Sequence, residues 1–258
     1  MLRKLAAILI PPSCLLAALY TSGASRAGWI AASIVGSSVV MLGLLRPRSR
    51  MFGASLIEAA PQPRVALTFD DGPHPVDTPA ILEILDKAGV KATFFFVGKR
   101  ARRYPELVRR VAESGHQIEA HSDTHPWWFS LASSIRTRRE VRNVVGTLSE
   151  LSGRRPTFFR PPMGHRSLSL AAVLHEEDLQ MVTWSVRPFD TVRRNAEGIQ
   201  KNVVSNAKPG GILLLHEGMG RRPGEPSRTV QALPSMLTGL RERGLEPVSL
   251  RELLGSGK

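Results

Sequence analysis

The stretch that decides the fold is RVALTFDDGPHP, residues 64–75. Residues 64–69 favour a short buried strand, and the Asp-Asp-Gly-Pro of residues 70–73 is typical of a turn. Residues 77–88 place apolar side chains at helical spacing, with Asp77 expected as the N-cap and Gly89 as the end of the helix. The stretch therefore predicts a strand, then a turn that carries two adjacent carboxylates, and then a helix.

The same alternation of strand and helix repeats to the end of the chain. The predicted strands are 64–69, 92–97, 117–120, 157–159, 181–185, 211–215 and 247–250. The main predicted helices are 77–88, 105–111, 135–151, 196–207 and 229–243. Strands separated by helices pair in parallel through right-handed crossovers, so we predict an α/β fold. The number of units favours a small or incomplete barrel, and an open doubly wound sheet is the alternative.

The first fifty residues differ in composition from the rest of the chain. An apolar run at 5–20 is interrupted by a proline pair, and a second run at 28–45 carries no charge. The second run is long enough to cross a membrane, which takes roughly 17–25 residues. We therefore predict a membrane anchor in residues 1–50, a linker at 51–63 and the main domain at 64–258.

Two topologies of the anchor remain open. The first run is either one arm of a helical hairpin or a signal peptide cleaved near the small residues 22–24. All the charged residues of the segment are basic, and most of them flank the two runs. A hairpin would place the main domain in the cytoplasm by the positive-inside rule, whereas a single span by the second run permits the outer face.

Composition excludes several classes of protein. Hydrophobic residues make up 42% and charged residues 22% of the 258 residues, which is typical of a globular chain. The single cysteine, Cys14, excludes an internal disulfide framework and a cysteine-ligated zinc site. The net charge of +13 comes partly from the anchor, and no nucleic-acid-binding motif accompanies it. We therefore expect a membrane partner and no nucleic acid, and the sequence indicates no protein partner.

Reactive side chains come after the predicted strands, near their carboxyl ends. These positions are Asp70, Asp71, His121, Arg160, Asp190 and His216. Because the carboxyl ends of parallel strands face one way, we expect these groups at one mouth of the sheet. The alternatives are an Asx turn at the aspartates and structural or solvated histidines elsewhere.

The spacing within this set suggests a metal site. If the segment is helical, His121 and His125 lie on one face of it, within reach of one ion. With one carboxylate they make a set that leaves coordination positions open for water and substrate. Asp70 and Asp71 would repel each other unless a cation bound one of them and left the other free to accept a proton. Histidine ordinarily titrates near neutrality, so we expect His216 to suit the role of general acid.

Four ordered motifs then resemble one enzyme family. The motifs are residues 68–73, 121–125, 159–162 and 214–216. They are similar to the motifs of the polysaccharide deacetylases of carbohydrate esterase family 4. The similarity extends over about residues 64–254. The resemblance implies a distorted (β/α)7 barrel that hydrolyses the N-acetyl group of an amino sugar in a glycan or glycolipid.

The resemblance also implies a role for each matching residue. Asp70 corresponds to the general base, oriented by Arg160, and His216 to the general acid. The implied metal ligands are Asp71, His121 and His125. The nitrogen and oxygen donors favour Zn²⁺ as the divalent cofactor, with Co²⁺, Ni²⁺ or Mn²⁺ as alternatives.

The implied substrate contacts are less uniform. They are Pro161, Met163 through its peptide N–H, Leu214 for the acetyl methyl, Trp127 as a sugar-stacking wall, and Asp190. Trp127 has the alternative of packing under a loop. Met163 stands where the family usually has tyrosine, and Arg187 replaces an aspartate that can support the acid histidine. Since a nearby cation favours neutral histidine, this change predicts a lowered pKa for His216.

Two other functions are weighed against a deacetylase of wall or surface polysaccharide. One is a deformylase or deacetylase of a lipid-linked sugar precursor, which a cytoplasmic domain would require. The other is a catalytically disabled, membrane-tethered carbohydrate-binding protein, which the departures at Arg187 and Thr191 would allow.

Overall fold

The computed structural model describes residues 25–192, 195–218 and 224–255. Its strands are β1 (Arg64–Gly72), β2 (Thr93–Phe96), β3 (Gln117–Ala120), β4 (Phe158–Phe159), β5 (Gln180–Met181), β6 (Ile212–His216) and β7 (Glu246–Val248). Its α-helices are α1 (Arg26–Leu45), α2 (Asp77–Ala88), α3 (Gly98–Arg103), α4 (Pro105–Glu113), α5 (Ser134–Ser152), α6 (Leu170–Glu176), α7 (Ala196–Asn206), α8 (Arg228–Glu242) and α9 (Leu250–Leu254). The alternation of strand and helix confirms the α/β class.

The strands form one parallel sheet in the order β5-β4-β3-β2-β1-β6, with β7 also paired to β1. The sheet curls until its edges approach each other. Past the end of β5, Val186 forms a parallel bridge with Leu213 of β6. The result is a curled half-barrel with helices packed around it, which confirms the predicted distorted barrel and does not fit an open doubly wound sheet.

Phenylalanines fill much of the space between the sheet and its helices. The fully buried rings of Phe69, Phe94 and Phe96 pack in sequence, with centroids 5.2 and 5.7 Å apart. Burial of one such side chain contributes roughly 1.5–3 kcal/mol. The apolar strands therefore form a rigid support, and the reactive side chains lie where the strands end.

The base of the barrel is closed by a helix that the sequence did not predict. The N–H groups of Leu250 and Arg251, both in α9, donate to Thr93 Oγ1 and Gln117 Oε1, each at 2.8 Å. Those acceptors begin β2 and β3, at the end opposite the mouth. The predicted last strand, 247–250, is therefore too long, because Ser249 caps α9.

The prediction that Asp77 caps α2 is also wrong. Val76 is the residue before the helix, and Asp77 is the first residue in it. The fully buried Asp77 carboxylate accepts hydrogen bonds from the N–H groups of Gly218 at 2.7 Å and Ser227 at 2.9 Å. It thus holds the loop after β6, which no local pattern around residue 77 shows.

The helix α1 agrees with the second apolar run. Its residues Ala27–Leu45 are apolar enough and long enough to cross a membrane, and most of the segment is exposed. The first run, 5–20, lies outside the described residues. The predicted linker contacts the barrel: Leu56 N–H donates to Met181 O and Ala59 N–H donates to Gly210 O, both at 2.8 Å. The domain boundaries drawn from the sequence stay predictions.

Candidate active site

Asp70 is held at the mouth by a buried arginine. Asp70 and His216 are register partners on the neighbouring strands β1 and β6. The guanidinium of Arg160, fully buried, donates to Asp70 Oδ1 at 2.6 Å, to Thr68 Oγ1 at 2.8 Å and to the carbonyl of Thr183 at 3.1 Å. Burial raises the pKa of Asp70 above its ordinary value, although the charge of Arg160 opposes the rise. Asp70 is therefore an oriented carboxylate with an increased affinity for a proton.

Asp71 turns out of the strand toward the histidines. Its φ of 70° lies in the left-handed region, which breaks the alternation of side chains along β1. Its Oδ1 lies 3.4 Å from His125 Nε2 and 3.9 Å from His121 Nε2, and this buried oxygen has no hydrogen-bond partner among the described residues. Ligands about 2.1 Å from one tetrahedral ion lie about 3.4 Å apart. The three donors, all within 4.8 Å of one another, therefore fit a divalent metal.

The two histidines reach this point from a loop and not from a helix. Residues 121–125 have no helical turn, and Ser122 and His125 have φ of 60° and 52°. The helix-face argument from their spacing is therefore wrong, although the pair does converge. His121 Nδ1 contacts the carbonyl of Arg160 at 2.7 Å, so Nδ1 carries the proton and Nε2 is left free. Burial lowers the pKa of His121 to about 3, which keeps the ring neutral and able to bind a metal.

A glutamate that the sequence analysis missed fixes this loop. The buried face of α5, which is otherwise mostly apolar, contains one carboxylate, Glu140. Its Oε2 accepts from the N–H groups of Asp123 at 2.9 Å and Thr124 at 2.8 Å, and its Oε1 accepts from Thr124 Oγ1 at 2.6 Å. A glutamate on the apolar stripe of α5 was the available signal. Glu140 positions the segment between His121 and His125.

Asp190 is buried against His216. Its Oδ1 lies 2.8 Å from His216 Nδ1, while its Oδ2 accepts from the N–H of His216 at 2.8 Å and from Thr229 Oγ1 at 3.0 Å. The carboxylate is 1% exposed, so these partners occupy it. The assignment of Asp190 to substrate binding stays a prediction, and the contacts of its carboxylate suit it to positioning His216.

The predicted lowering of the His216 pKa by Arg187 is also wrong. Burial alone would lower this pKa, but the hydrogen bond and charge of Asp190, with the charges of Asp70 and Asp71, raise it to about 9. The exposed guanidinium of Arg187 lies over the Phe189 ring, 5.3 Å from its centroid. His216 is therefore protonated at neutral pH, as a general acid must be.

The other predicted substrate contacts fall around the mouth. Met163 is 42% exposed and has a left-handed φ of 56°, within a short 3-10 turn at Pro162–Gly164. Trp127 is 77% exposed, so it does not pack under a loop. Pro161 and Leu214 are buried; Pro161 follows Arg160 in the chain, and Leu214 lies in β6 two residues before His216. Their contacts with substrate stay predictions.

Known proteins share this arrangement of sequence and fold. A sequence profile described as "Polysaccharide deacetylase" matches residues 58–182. A peptidoglycan-N-acetylglucosamine deacetylase of Bacillus cereus is 36% identical over 195 residues, which cover 74% of this chain and 87% of that protein. The chain belongs to the polysaccharide deacetylase family. It is thereby placed among hydrolases that cleave the amide bond of N-acetyl groups.

Two further relatives show the range of this deacetylase family. A chitooligosaccharide deacetylase of a Bradyrhizobium species is 35% identical over 199 residues, covering 73% of this chain and 90% of that protein. The solved structure of BA3943 from Bacillus anthracis, described as a CE4 family pseudoenzyme, has a TM-score of 0.71 and 26% identity, and covers 78% of this chain and 69% of that one. The family thus includes a chain of the same fold that is described as inactive.

Proposed function

We propose that this protein is a membrane-anchored, metal-dependent deacetylase of an amino-sugar glycan. One observation carries the proposal: the unpartnered, buried Oδ1 of Asp71 faces the imidazoles of His121 and His125. A buried carboxylate oxygen without a donor is costly, and a divalent cation removes that cost. Zn²⁺ suits two imidazoles and one carboxylate. Relatives named for peptidoglycan and chitooligosaccharide support the class of substrate.

The surroundings of each residue in the site suit that residue to one chemical step. A divalent metal at Asp71, His121 and His125 supplies polarisation of the amide carbonyl and acidification of water. Asp70 accepts the proton of the attacking water, and Arg160 keeps its carboxylate aimed at the mouth. The peptide N–H of Met163 is proposed to donate to the developing oxyanion.

His216, on the strand next to that of Asp70, completes the reaction. An amine leaves poorly unless it is protonated, and His216 carries a proton at neutral pH because Asp190 stabilises its charge. Together, Asp70 takes up one proton and His216 gives up another, as hydrolysis of an amide requires. This pairing favours an enzyme over a disabled binding protein, because both proton-transfer groups keep their partners.

The membrane anchor is proposed from α1. The helix has the length and composition of a span, and basic residues follow it at Arg46, Arg48 and Arg50. A signal sequence passes the same test of length and composition. N-terminal sequencing of the protein from membranes distinguishes the two, since a retained anchor leaves residues 28–45 in place.

The activity test measures acetate release from a chitooligosaccharide and from a peptidoglycan fragment by the full chain loaded with Zn²⁺. We expect turnover that a chelator abolishes and Zn²⁺ restores. Asp70→Asn should lose about 10²–10⁴-fold in kcat. Formate release from the formylated substrate distinguishes a deformylase. Glycan binding without hydrolysis of any substrate would contradict the proposal and match the pseudoenzyme.

A further inference from the structure

The end of α1 is fixed to the mouth of the barrel. Arg166 lies in the loop after β4, where its guanidinium donates to the carbonyls of Arg46 at 2.7 Å and Pro47 at 2.8 Å. The N–H of Arg166 donates to the carbonyl of Leu44 at 2.9 Å. Gly164 packs so closely on Pro47 that an added Cβ would lie 2.8 Å from Pro47 Cγ. The helix therefore joins the barrel through a rigid contact and not through a free tether.

The positions of the contacted residues show that this contact is on the mouth side. Gly164 and Arg166 follow the carboxyl end of β4, which ends at Phe159. The guanidinium of Arg48 donates to the carbonyl of Ser185 at 2.6 Å, past the carboxyl end of β5. The residues just after α1 thus contact the segments that follow the carboxyl ends of two neighbouring strands. The end of α1 is consequently level with the loops that carry the catalytic residues.

Those mouth loops expose a set of large apolar side chains. The set comes from the segments after β3, β4 and β5, and its members are 66–77% exposed. We call it the mouth rim: Trp127, Leu131, Ile135, Leu168 and Val192. A concentration of exposed apolar side chains around one opening marks an interaction surface.

The exposed charged side chains of the segments after β2, β3, β4 and β5 have one sign, whereas the loop after β6 has the exposed Glu225. In residues 98–104, 121–136, 160–169 and 182–192, the exposed charged side chains are Lys99, Arg102, Arg103, Arg136 and Arg187. The acidic side chains in the same ranges are buried. Exposed apolar side chains among basic ones are typical of a protein surface that lies on anionic lipid.

We propose that the mouth rim docks on the anionic bilayer that holds α1, so that the active site opens onto the lipid headgroups. Three observations carry this: the fixed joint between α1 and the mouth, the exposed apolar rim, and the basic charges around it. The proposal rests on the proposed membrane anchor. It narrows the substrate to an N-acyl amino sugar carried at the bilayer surface, because the headgroup layer is what the mouth reaches.

The experiment measures the depth of labelled sites in the full chain. A fluorophore is attached to Ile135→Cys or Leu168→Cys in a Cys14→Ser background, and the protein is reconstituted in vesicles with anionic lipid. The control is Leu254→Cys, on α9 at the base of the barrel, where the native side chain is 38% exposed. Lipids with a nitroxide next to the headgroup should quench the two rim labels about threefold more than the control label. Vesicles without anionic lipid should quench them less.

The outcomes separate docking from anchoring and from catalysis. Failure of the protein to float with vesicles would overturn both the anchor and the docking. Flotation with equal quenching at all three labels would overturn the docking alone, and equal quenching of the rim labels in both kinds of vesicle would overturn the requirement for anionic lipid. Hydrolysis of a soluble chitooligosaccharide by the same preparation reports the deacetylase activity independently.

Discussion

Replacing Asp190 by asparagine should make the activity of this protein sensitive to alkali. In Asp190→Asn the side chain keeps its shape and one carbonyl oxygen but loses the charge beside His216 Nδ1. Burial then dominates the surroundings of the imidazole and lowers its pKa. The general acid of the variant should therefore lose its proton near neutrality.

The magnitude follows from the pKa of His216, which is raised from 6.5 to about 9 in the native protein. This difference corresponds to about 3 kcal/mol between the protonated and neutral forms. If the variant returns to a pKa of about 6.5, the protonated fraction at about pH 8 falls roughly thirtyfold, whereas at about pH 6 it falls by less than about a factor of two. The loss in kcat should follow the same ratio.

The assay is acetate release across pH by both proteins loaded with Zn²⁺. Thr229→Val is the matched control, since it removes a hydrogen bond to the same carboxylate but keeps the charge. Thermal unfolding gives a second measurement. The raised pKa of His216 stabilises the native protein fully below about pH 6.5, and this stabilisation disappears as pH rises through about 9. A variant whose kcat deficit is the same at both pH values would refute the role of Asp190.

Three other substitutions test the rest of the site. Asp71→Asn should weaken Zn²⁺ binding by about 10²-fold or more in calorimetric titration, and native-like affinity would remove it from the ligand set. Arg160→Lys should cost about 2 kcal/mol in denaturant unfolding and about 10²-fold in kcat, because one ammonium cannot replace a guanidinium with three buried acceptors. Burial raises the pKa of Glu217 to about 8. The free energy of unfolding of the native protein should therefore fall by on the order of 3 kcal/mol as pH rises from about 5 to 8, and Glu217→Gln should not show this fall. Parallel stability curves for these two proteins would show that Glu217 is ionised throughout.

The order of elements could be predicted because strand and helix patterns are local properties. The apolar run of β6 predicts a strand, and Gly89 predicts the end of α2, each from only a few neighbouring residues. The errors arose where a contact comes from far along the chain. Asp77 serves a loop about 150 residues away, and α9 follows a capping box that an apolar pattern hides.

The candidate site shows the same division. The positions of Asp70, Asp71 and the two histidines after predicted strands indicated that they lie close together, because parallel strands have a common direction. The structure places them together. The partner of His216 was missed, since the loop after β5 has no regular geometry from which a contact could be calculated. Arg187 was predicted to lower the pKa of His216 because the two residues were expected at the same mouth. In the structure the side chain of Arg187 is exposed.

The joint between α1 and the barrel also decides where the chain can be cut for expression without the proposed anchor. A fragment that starts at residue 58, where the family profile begins, lacks the carbonyl groups of Leu44, Arg46 and Pro47. The Arg166 guanidinium, which is fully buried here, would then lose those acceptors and the loop that carries Met163 would lose its support. Soluble fragments should therefore begin at or before Leu44, with exposed apolar residues of the last turn replaced by polar ones. A shorter fragment with poor activity would report the loss of this contact and not an inactive enzyme.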